Sequence, residues 1–192
     1  MNKCVCFFLI LLLFAVSFSA GCVSTASDKA TSTPVSTLTN TPTSVQTQTA
    51  APTESIDIAK EQAVKSAISY LKYSSFSYEG LIDQLEYEKF THEQAVYGAD
   101  NCGANWFEQA VKSAKSYLKS SSFSYEGLID QLEYEEFTHA QAVYGADNCG
   151  ADWFEQAVKS AKSYLKSSSF SYEGLIDQLE YEEFTHAQAV YG

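Results

Sequence analysis

The chain reads as all-α: a tandem array of three small three-helix repeats of helix-turn-helix type, set behind a signal peptide and a disordered linker. Three observations predict this. Residues 107–145 and 154–192 are identical at every position, and residues 60–98 differ from them only at Lys60, Ile68, Tyr73, Lys89 and Glu93. Equivalent residues recur every 47 positions, as Phe76, Phe123 and Phe170 show, which marks a repeated module and not a pocket assembled once. Within each copy the apolar residues fall three and four apart, and all prolines precede the first copy. The expected boundaries are 1–21 for the signal, 22–55 for the linker, and 56–98, 104–145 and 151–192 for the repeats.

The start, MNKCVCFFLILLLFAVSFSAGC, has a minimal positive end at Lys3 and a largely apolar stretch of 15 residues from Cys4 to Phe18. That is shorter than the roughly 20 residues of a spanning helix and suits the apolar region of an export signal. Ser19-Ala20-Gly21-Cys22 follows. Small residues before a cysteine are what a lipoprotein signal peptidase accepts, and Cys22 is then the lipidation site. Ser19 stands where Leu is usual. An ordinary secretory signal with Cys22 a bystander, or an uncleaved anchor, is the competing reading; the polar segment that follows favours a tether. Two acyl chains, at ~0.8 kcal/mol per buried CH₂, hold a protein to a bilayer far better than one. The expected address is the extracellular face of the cytoplasmic membrane, most simply in a Gram-positive bacterium.

Residues 23–53 are about half Ser and Thr and contain Pro34, Pro42 and Pro52. They have too little apolar surface to offset the entropy of folding. Fully extended, they reach on the order of 100 Å at ~3.3 Å per residue.

Each repeat divides into three helical pieces. The first runs from Trp106 through Leu118, with Phe107, Ala110, Val111, Ala114, Tyr117 and Leu118 on one face and Lys112, Lys115 and Lys119 on the other. Asn105 with Glu108, and Asp152 with Glu155, predict capping boxes. Serines 120–122 interrupt the pattern, and Ser124 caps a second helix from Tyr125 to about Tyr134 with Leu128, Ile129 and Leu132 inside. Gly127 early in that helix costs about 1 kcal/mol relative to Ala, and close helix–helix approach is its expected reason. Thr138 and Gln141 predict a further box at the third helix, whose Ala142, Val143 and Ala146 face inward. Either Gly145 or the run Asp147-Asn148-Cys149-Gly150 ends it. The dense aromatics (Tyr117, Phe123, Tyr125, Tyr134, Phe137, Tyr144, Trp153) are expected in the core and between helices. A module of roughly 40 residues is marginal alone, and the short connection between copies favours near neighbours over free tumbling.

Composition excludes several function classes. There are 12 Lys and Arg, none of them Arg, against 24 Asp and Glu, for a formal net charge of −12. Nucleic-acid binding needs a basic surface and base-reading Arg, so no nucleic acid is expected. Cys102 and Cys149 recur once per connection, which makes no disulfide framework. They read as small, half-buried linker residues; a bridge between them needs Cα atoms within about 7 Å. His92, His139 and His186 have no second ligand at i+4, so no metal and no cofactor are expected. No nucleophile elbow or Ser/His/Asp arrangement is visible, and consecutive Glu135 and Glu136 read as a solvated face and not as a glycosidase pair. Neither enzyme activity nor a small-molecule substrate is expected.

The string A-x₃-A-x₂-Y-L, then F-S-x₂-G-L-I-x-Q-L, then T-x₂-Q-A-x-Y and D-N-C-G-A-D-W resembles the Ltp-like helix-turn-helix repeat of host cell surface-exposed lipoproteins. The match runs through Ala110, Ala114, Tyr117, Leu118, Phe123, Ser124, Gly127, Leu128, Ile129, Gln131, Leu132, Thr138, Gln141, Ala142 and Tyr144, and it recurs in all three copies. The resemblance implies an acyl-anchored protein with helical repeats beyond a polar linker. For phage-encoded members it implies superinfection exclusion, in which DNA entry by a second phage is blocked by engaging its tape-measure protein.

The expected partner-binding face is acidic. Asp130, Glu133, Glu135 and Glu136 gather around the second helix and its exit; they recur as Asp83, Glu86 and Glu88, and as Asp177, Glu180, Glu182 and Glu183. Three such patches on one tether raise apparent affinity through local concentration. A basic or amphipathic segment of a protein partner is the expected ligand; a structural or adhesive protein that binds wall polymer or surface neighbours is the alternative.

Overall fold

The computed structural model describes the backbone of residues 52–192 and side chains from residue 58 onward. The expected signal segment, Cys22 and the linker up to residue 51 lie outside the described residues. Among the described residues nine helices fall in three sets: α1 (Pro52–Tyr73), α2 (Tyr78–Tyr87) and α3 (His92–Asn101); α4 (Trp106–Ser120), α5 (Tyr125–Tyr134) and α6 (His139–Asn148); α7 (Trp153–Ser167), α8 (Tyr172–Tyr181) and α9 (His186–Tyr191). The described residues are all-α, three helices to a repeat. The first helix takes in residues 52–55, which sequence reading counted with the linker. Proline fits that first position because its missing N–H would have had no intrahelical acceptor.

The caps follow from local chemistry. The Ser77, Ser124 and Ser171 hydroxyls accept from the amides of Gly80, Gly127 and Gly174 at 3.0, 3.0 and 3.1 Å. Thr91, Thr138 and Thr185 form complete capping boxes with Gln94, Gln141 and Gln188. Asn105 and Asp152 cap differently from the expected boxes: one side-chain oxygen takes two amides, those of Phe107 and Glu108 or of Phe154 and Glu155.

Within each repeat the third helix packs against both others. The second repeat shows why. Ala110 and Ala114 on α4 and Ala142 and Ala146 on α6 bring two backbones close, and Leu128, Ile129 and Leu132 of α5 fill the space beside them. Burying each such Leu or Ile contributes about 1.5–3 kcal/mol. Gly145 sits at the closest approach: a Cβ there would lie 3.0 Å from both the Ala110 carbonyl oxygen and Leu132 Cδ1. It therefore does not end α6, which runs on to Asn148; the chain turns at Gly150, where φ is +77°.

The expected reason for Gly127 is corrected. A Cβ there would meet the capping Ser124 hydroxyl at 2.9 Å, so this glycine makes room for its own helix cap. The aromatic expectation holds for Tyr117, Phe123, Tyr125 and Trp153, which pack against the core, and for Phe137 within it; it is corrected for Tyr134 and Tyr144. Tyr134 is largely exposed, and Tyr144 pairs edge-to-face with Phe107 near the surface at 5.3 Å.

The repeats are docked, by few side chains. Trp106 packs on the core of the first repeat and meets Tyr78 edge-on at 5.4 Å; Trp153 does the same on the second repeat with Tyr125, also at 5.4 Å. Gln109 and Gln156 are buried, whereas Gln62, with no repeat before it, is exposed. The buried Oε1 atoms of Gln109 and Gln156 have no hydrogen-bond partner.

Candidate functional site

The acidic residues lie on and just after the second helix of each repeat, where the chain makes an unusual stop. In the second repeat Glu135 is the C-cap, the Phe137 amide donates to the Leu132 carbonyl at 3.1 Å, and the Glu136 amide donates to the Glu133 carbonyl at 2.9 Å. This is a Schellman stop, and its left-handed position normally belongs to glycine. Here Lys89, Glu136 and Glu183 occupy it, with φ of 75°, 66° and 66°. The buried pair Leu132 and Phe137 brackets the turn and holds it. Left-handed backbone at a residue with a Cβ costs roughly 1–2 kcal/mol.

The stop sends the acidic side chains to four different surroundings. Asp83, Asp130 and Asp177 are exposed on the helix surface. Glu86, Glu133 and Glu180 each meet the Nδ1 of His92, His139 or His186 at 2.6 Å. The histidines open the next helix, so this pair ties the stop of one helix to the start of another.

Glu88, Glu135 and Glu182 accept a short hydrogen bond from the hydroxyls of Tyr70, Tyr117 and Tyr164 on the first helix of their own repeat. The amides of Gln84, Gln131 and Gln178 donate to the same tyrosine oxygens at 3.2, 3.3 and 3.2 Å. In the third repeat the Ser160 hydroxyl also donates to Glu182, at 3.2 Å. Burial first, and the neighbouring carboxylate second, push the Tyr164 hydroxyl up to about 12 and raise Tyr70 and Tyr117 likewise. These three carboxylates are thus engaged inside the repeat.

Glu136 faces backwards across a junction. Partial burial, then Asp83 and Glu79 of the first repeat, then its neighbour Glu135, raise its carboxyl above the ordinary value. The same junction brings Gly80 within 4.0 Å, by its missing Cβ, of the Glu135 carbonyl oxygen; at the next, Gly127 lies 3.9 Å from the Glu182 carbonyl oxygen and 4.0 Å from Glu183 Oε2. The acidic residues are not one uniform face: the Asp series is open, the Glu–His series is shared, the Tyr-bound series is internal, and the left-handed series sits at the junctions. Glu79, the three histidines and the Tyr–Gln partners were not assigned to the site from sequence. Tyr117 lies 18 residues from Glu135, too far for any local pattern to link them.

Two of the five differences in the first repeat are coupled. Lys60 and Glu93 form an ion pair at 2.7 Å, with Lys60 also 5.4 Å from the Tyr97 ring centre. The second repeat has Phe107 and Ala140 at these positions, and there Phe107 meets Tyr144 instead. An aromatic contact and an ion pair substitute for one another at one surface.

Cys102 and Cys149 are free thiols, each donating to the carbonyl of Ala99 or Ala146 at 3.1 Å. Among the described residues, no group of three or more His, Cys, Asp or Glu is placed to hold a metal ion, and no helix is long and apolar enough to cross a membrane.

The sequence profile of the family described as host cell surface-exposed lipoprotein matches residues 59–102, 105–149 and 152–192. Each match coincides with one three-helix repeat. No curated protein and no solved structure matches the chain.

Proposed function

Because the chain belongs to the host cell surface-exposed lipoprotein family, we propose that it is anchored through Cys22 to the extracellular face of a Gram-positive cytoplasmic membrane and binds a cationic protein segment there. The function is superinfection exclusion: the repeats engage the tape-measure protein of an incoming phage and stop DNA entry. The repeats bind and do no catalysis. The observation that carries this reading is the carboxylate crowding around the first junction: Glu136 stands in left-handed backbone at the helix stop, and burial first, then the charges of Asp83 and Glu79, hold its carboxyl above the ordinary range. Such crowding costs stability in the free protein and is relieved when a cation binds. The exposed Asp83, Asp130 and Asp177 extend the negative surface along the array.

The test has three arms. The gene is expressed in a phage-sensitive host, and adsorption and DNA entry are measured separately across a phage panel. Normal adsorption with failed entry supports the reading; unchanged plaque counts across the panel count against it. Neutralising Asp83, Asp130, Asp177 and Glu136 together should abolish protection while leaving surface display intact. Binding to a basic partner segment should weaken as salt rises.

A second reading has its own observation. Tyr87, Tyr134 and Tyr181 close the second helix of each repeat and are strongly exposed. Tyrosine faces at a regular spacing suit stacking on wall sugars, and retention on purified wall that survives high salt would favour an adhesive role.

A further inference from the structure

Twelve lysines and no arginine stand against 24 acidic residues in this chain. Three of those lysines gather around one hollow of about 320 Å³ between the second and third repeats. Lys115 and Lys119 both belong to α4, four residues apart and so on one side of that helix, and Lys159 comes from α7. All three are exposed, and among the described residues none of them pairs with a carboxylate. Asp152 and Glu155 also line the hollow, but the Asp152 side chain is engaged by the amides of Phe154 and Glu155 at 3.0 and 3.2 Å.

The backbone adds donors to the same hollow. The chain leaves α6 through Cys149, with φ of −72° and ψ of −19°, into Gly150, with φ of +77°; both residues and Ala151 line the hollow. A right-handed residue followed by a left-handed one turns consecutive amides to one side and makes an anion-binding concavity. The amides of Gly150 and Ala151 donate to no acceptor among the described residues. A Cβ at Gly150 would meet nothing within 4 Å, so approach to that backbone is open. Gln156 supplies a further polar group. It is 5% exposed, lines the hollow, and its Oε1 has no donor. A buried carbonyl oxygen without a donor is costly, and a hydroxyl brought into the hollow removes that cost.

We propose that this hollow binds a small polyol phosphate, an anion of the glycerol phosphate type. Its phosphate lies among Lys115, Lys119, Lys159 and the amides of Gly150 and Ala151, and one of its hydroxyls donates to Gln156. The volume is at the small end of the roughly 300–1,000 Å³ of small-molecule pockets, which suits a ligand of that size. Inorganic phosphate satisfies the lysines and leaves Gln156 unmatched; a neutral polyol does the reverse. The first junction repeats the arrangement with Gly103, Lys72, Lys112 and Gln109, but Ile68 stands where Lys115 stands, and Lys72 lies 5.3 Å from the Tyr73 ring centre. The second junction is therefore the stronger site. It uses none of the residues of the acidic partner face, so either reading can fail without the other.

Calorimetric titration of the full chain with glycerol 3-phosphate, inorganic phosphate and glycerol tests the site. Saturable binding of glycerol 3-phosphate is expected, at least about fivefold tighter than inorganic phosphate, as one recovered hydrogen bond gives; glycerol alone should not bind. Lys115→Ile, which gives the second junction the residue of the first, combined with Lys119→Gln should weaken glycerol 3-phosphate at least about tenfold, through loss of charge-assisted bonds. Gln156→Met should bring glycerol 3-phosphate down to the level of inorganic phosphate. Lys115 and Lys119 are exposed, and Gln156→Met removes an unmatched group, so these variants should keep wild-type helicity by circular dichroism. No saturable binding of glycerol 3-phosphate up to about 10 mM overturns the proposal. So does binding unchanged by the lysine substitutions, or binding no tighter than that of inorganic phosphate. Glycerophosphoglycerol, the diester, identifies the source: tighter binding than the monoester assigns a lipid headgroup and weaker binding a free polyol phosphate, and both orders support the site.

Discussion

Tyr125→Ala and Tyr172→Ala remove the same side chain from the same local sequence, so the difference between them reports the cover that the end of α6 and Trp153 lay over Tyr125. Tyr172 is 66% exposed and Tyr125 only partly so. For an aromatic side chain of about 200 Å² the extra covered area is then roughly 60–100 Å². At ~25 cal/mol per Å² that amounts to about 2 kcal/mol. The edge-on contact with Trp153 at 5.4 Å adds about 1 kcal/mol. The bond to Asp147 at 2.9 Å adds up to about another 1 kcal/mol, less because it is exposed. Tyr125→Ala should therefore destabilise the chain by about 3 kcal/mol more than Tyr172→Ala, which itself should cost roughly 0.5 kcal/mol. Urea unfolding followed by far-UV circular dichroism measures both, and unchanged slopes license the comparison. Equal midpoints for the two variants would refute the contacts of Asp147 and Trp153 with Tyr125 as described, because residues 154–192 otherwise repeat residues 107–145.

Four further outcomes are expected. Gly145→Ala should destabilise by about 1–2 kcal/mol in thermal or urea unfolding, reversing the ~1 kcal/mol gain usual for this change inside a helix, because the new methyl meets the α4 backbone at 3.0 Å. Gln156→Met should stabilise by about 1 kcal/mol, since it removes a buried carbonyl oxygen that has no partner. Glu136→Gln should act through pH. The Glu136 carboxyl is raised in the folded state above its ordinary 4.5, so its stability contribution is complete below that value and is lost as pH rises through the raised one. The variant should then be a few tenths of a kcal/mol more stable at neutral pH, after allowance for solvent screening, and the advantage should vanish in acid; a constant difference at all pH values would point to the backbone instead. Thr138→Ala should cost about 1 kcal/mol through loss of a complete capping box.

The architecture was legible because each repeat is locally consistent. Three- and four-residue spacing predicted the three helical pieces, and Thr138 with Gln141 predicted a cap that the structure completes. Other features depend on groups far apart in the chain. Gly127 and Gly145 look alike in sequence; one spares its own cap and the other admits a neighbouring backbone, and only the packing separates them. The acidic residues looked like one face because charge is visible in sequence while partners are not. Tyr117 reaching Glu135, and the Glu135 carbonyl oxygen lying 4.0 Å from where a Gly80 Cβ would stand, are tertiary facts. The stop at Glu136 was hidden for a different reason: its usual marker is glycine, and this chain places glutamate there.

The Trp153–Tyr125 contact also bears on how such a gene evolves. The second and third 47-residue periods each open with a ring donor, Trp106 or Trp153, and all three periods carry a ring acceptor further on, at Tyr78, Tyr125 or Tyr172. Unequal crossing-over between near-identical gene segments would add or delete whole periods in frame, and every product would retain matched seams between its members. Lineages can thus vary the length of the array without first inventing a new interface.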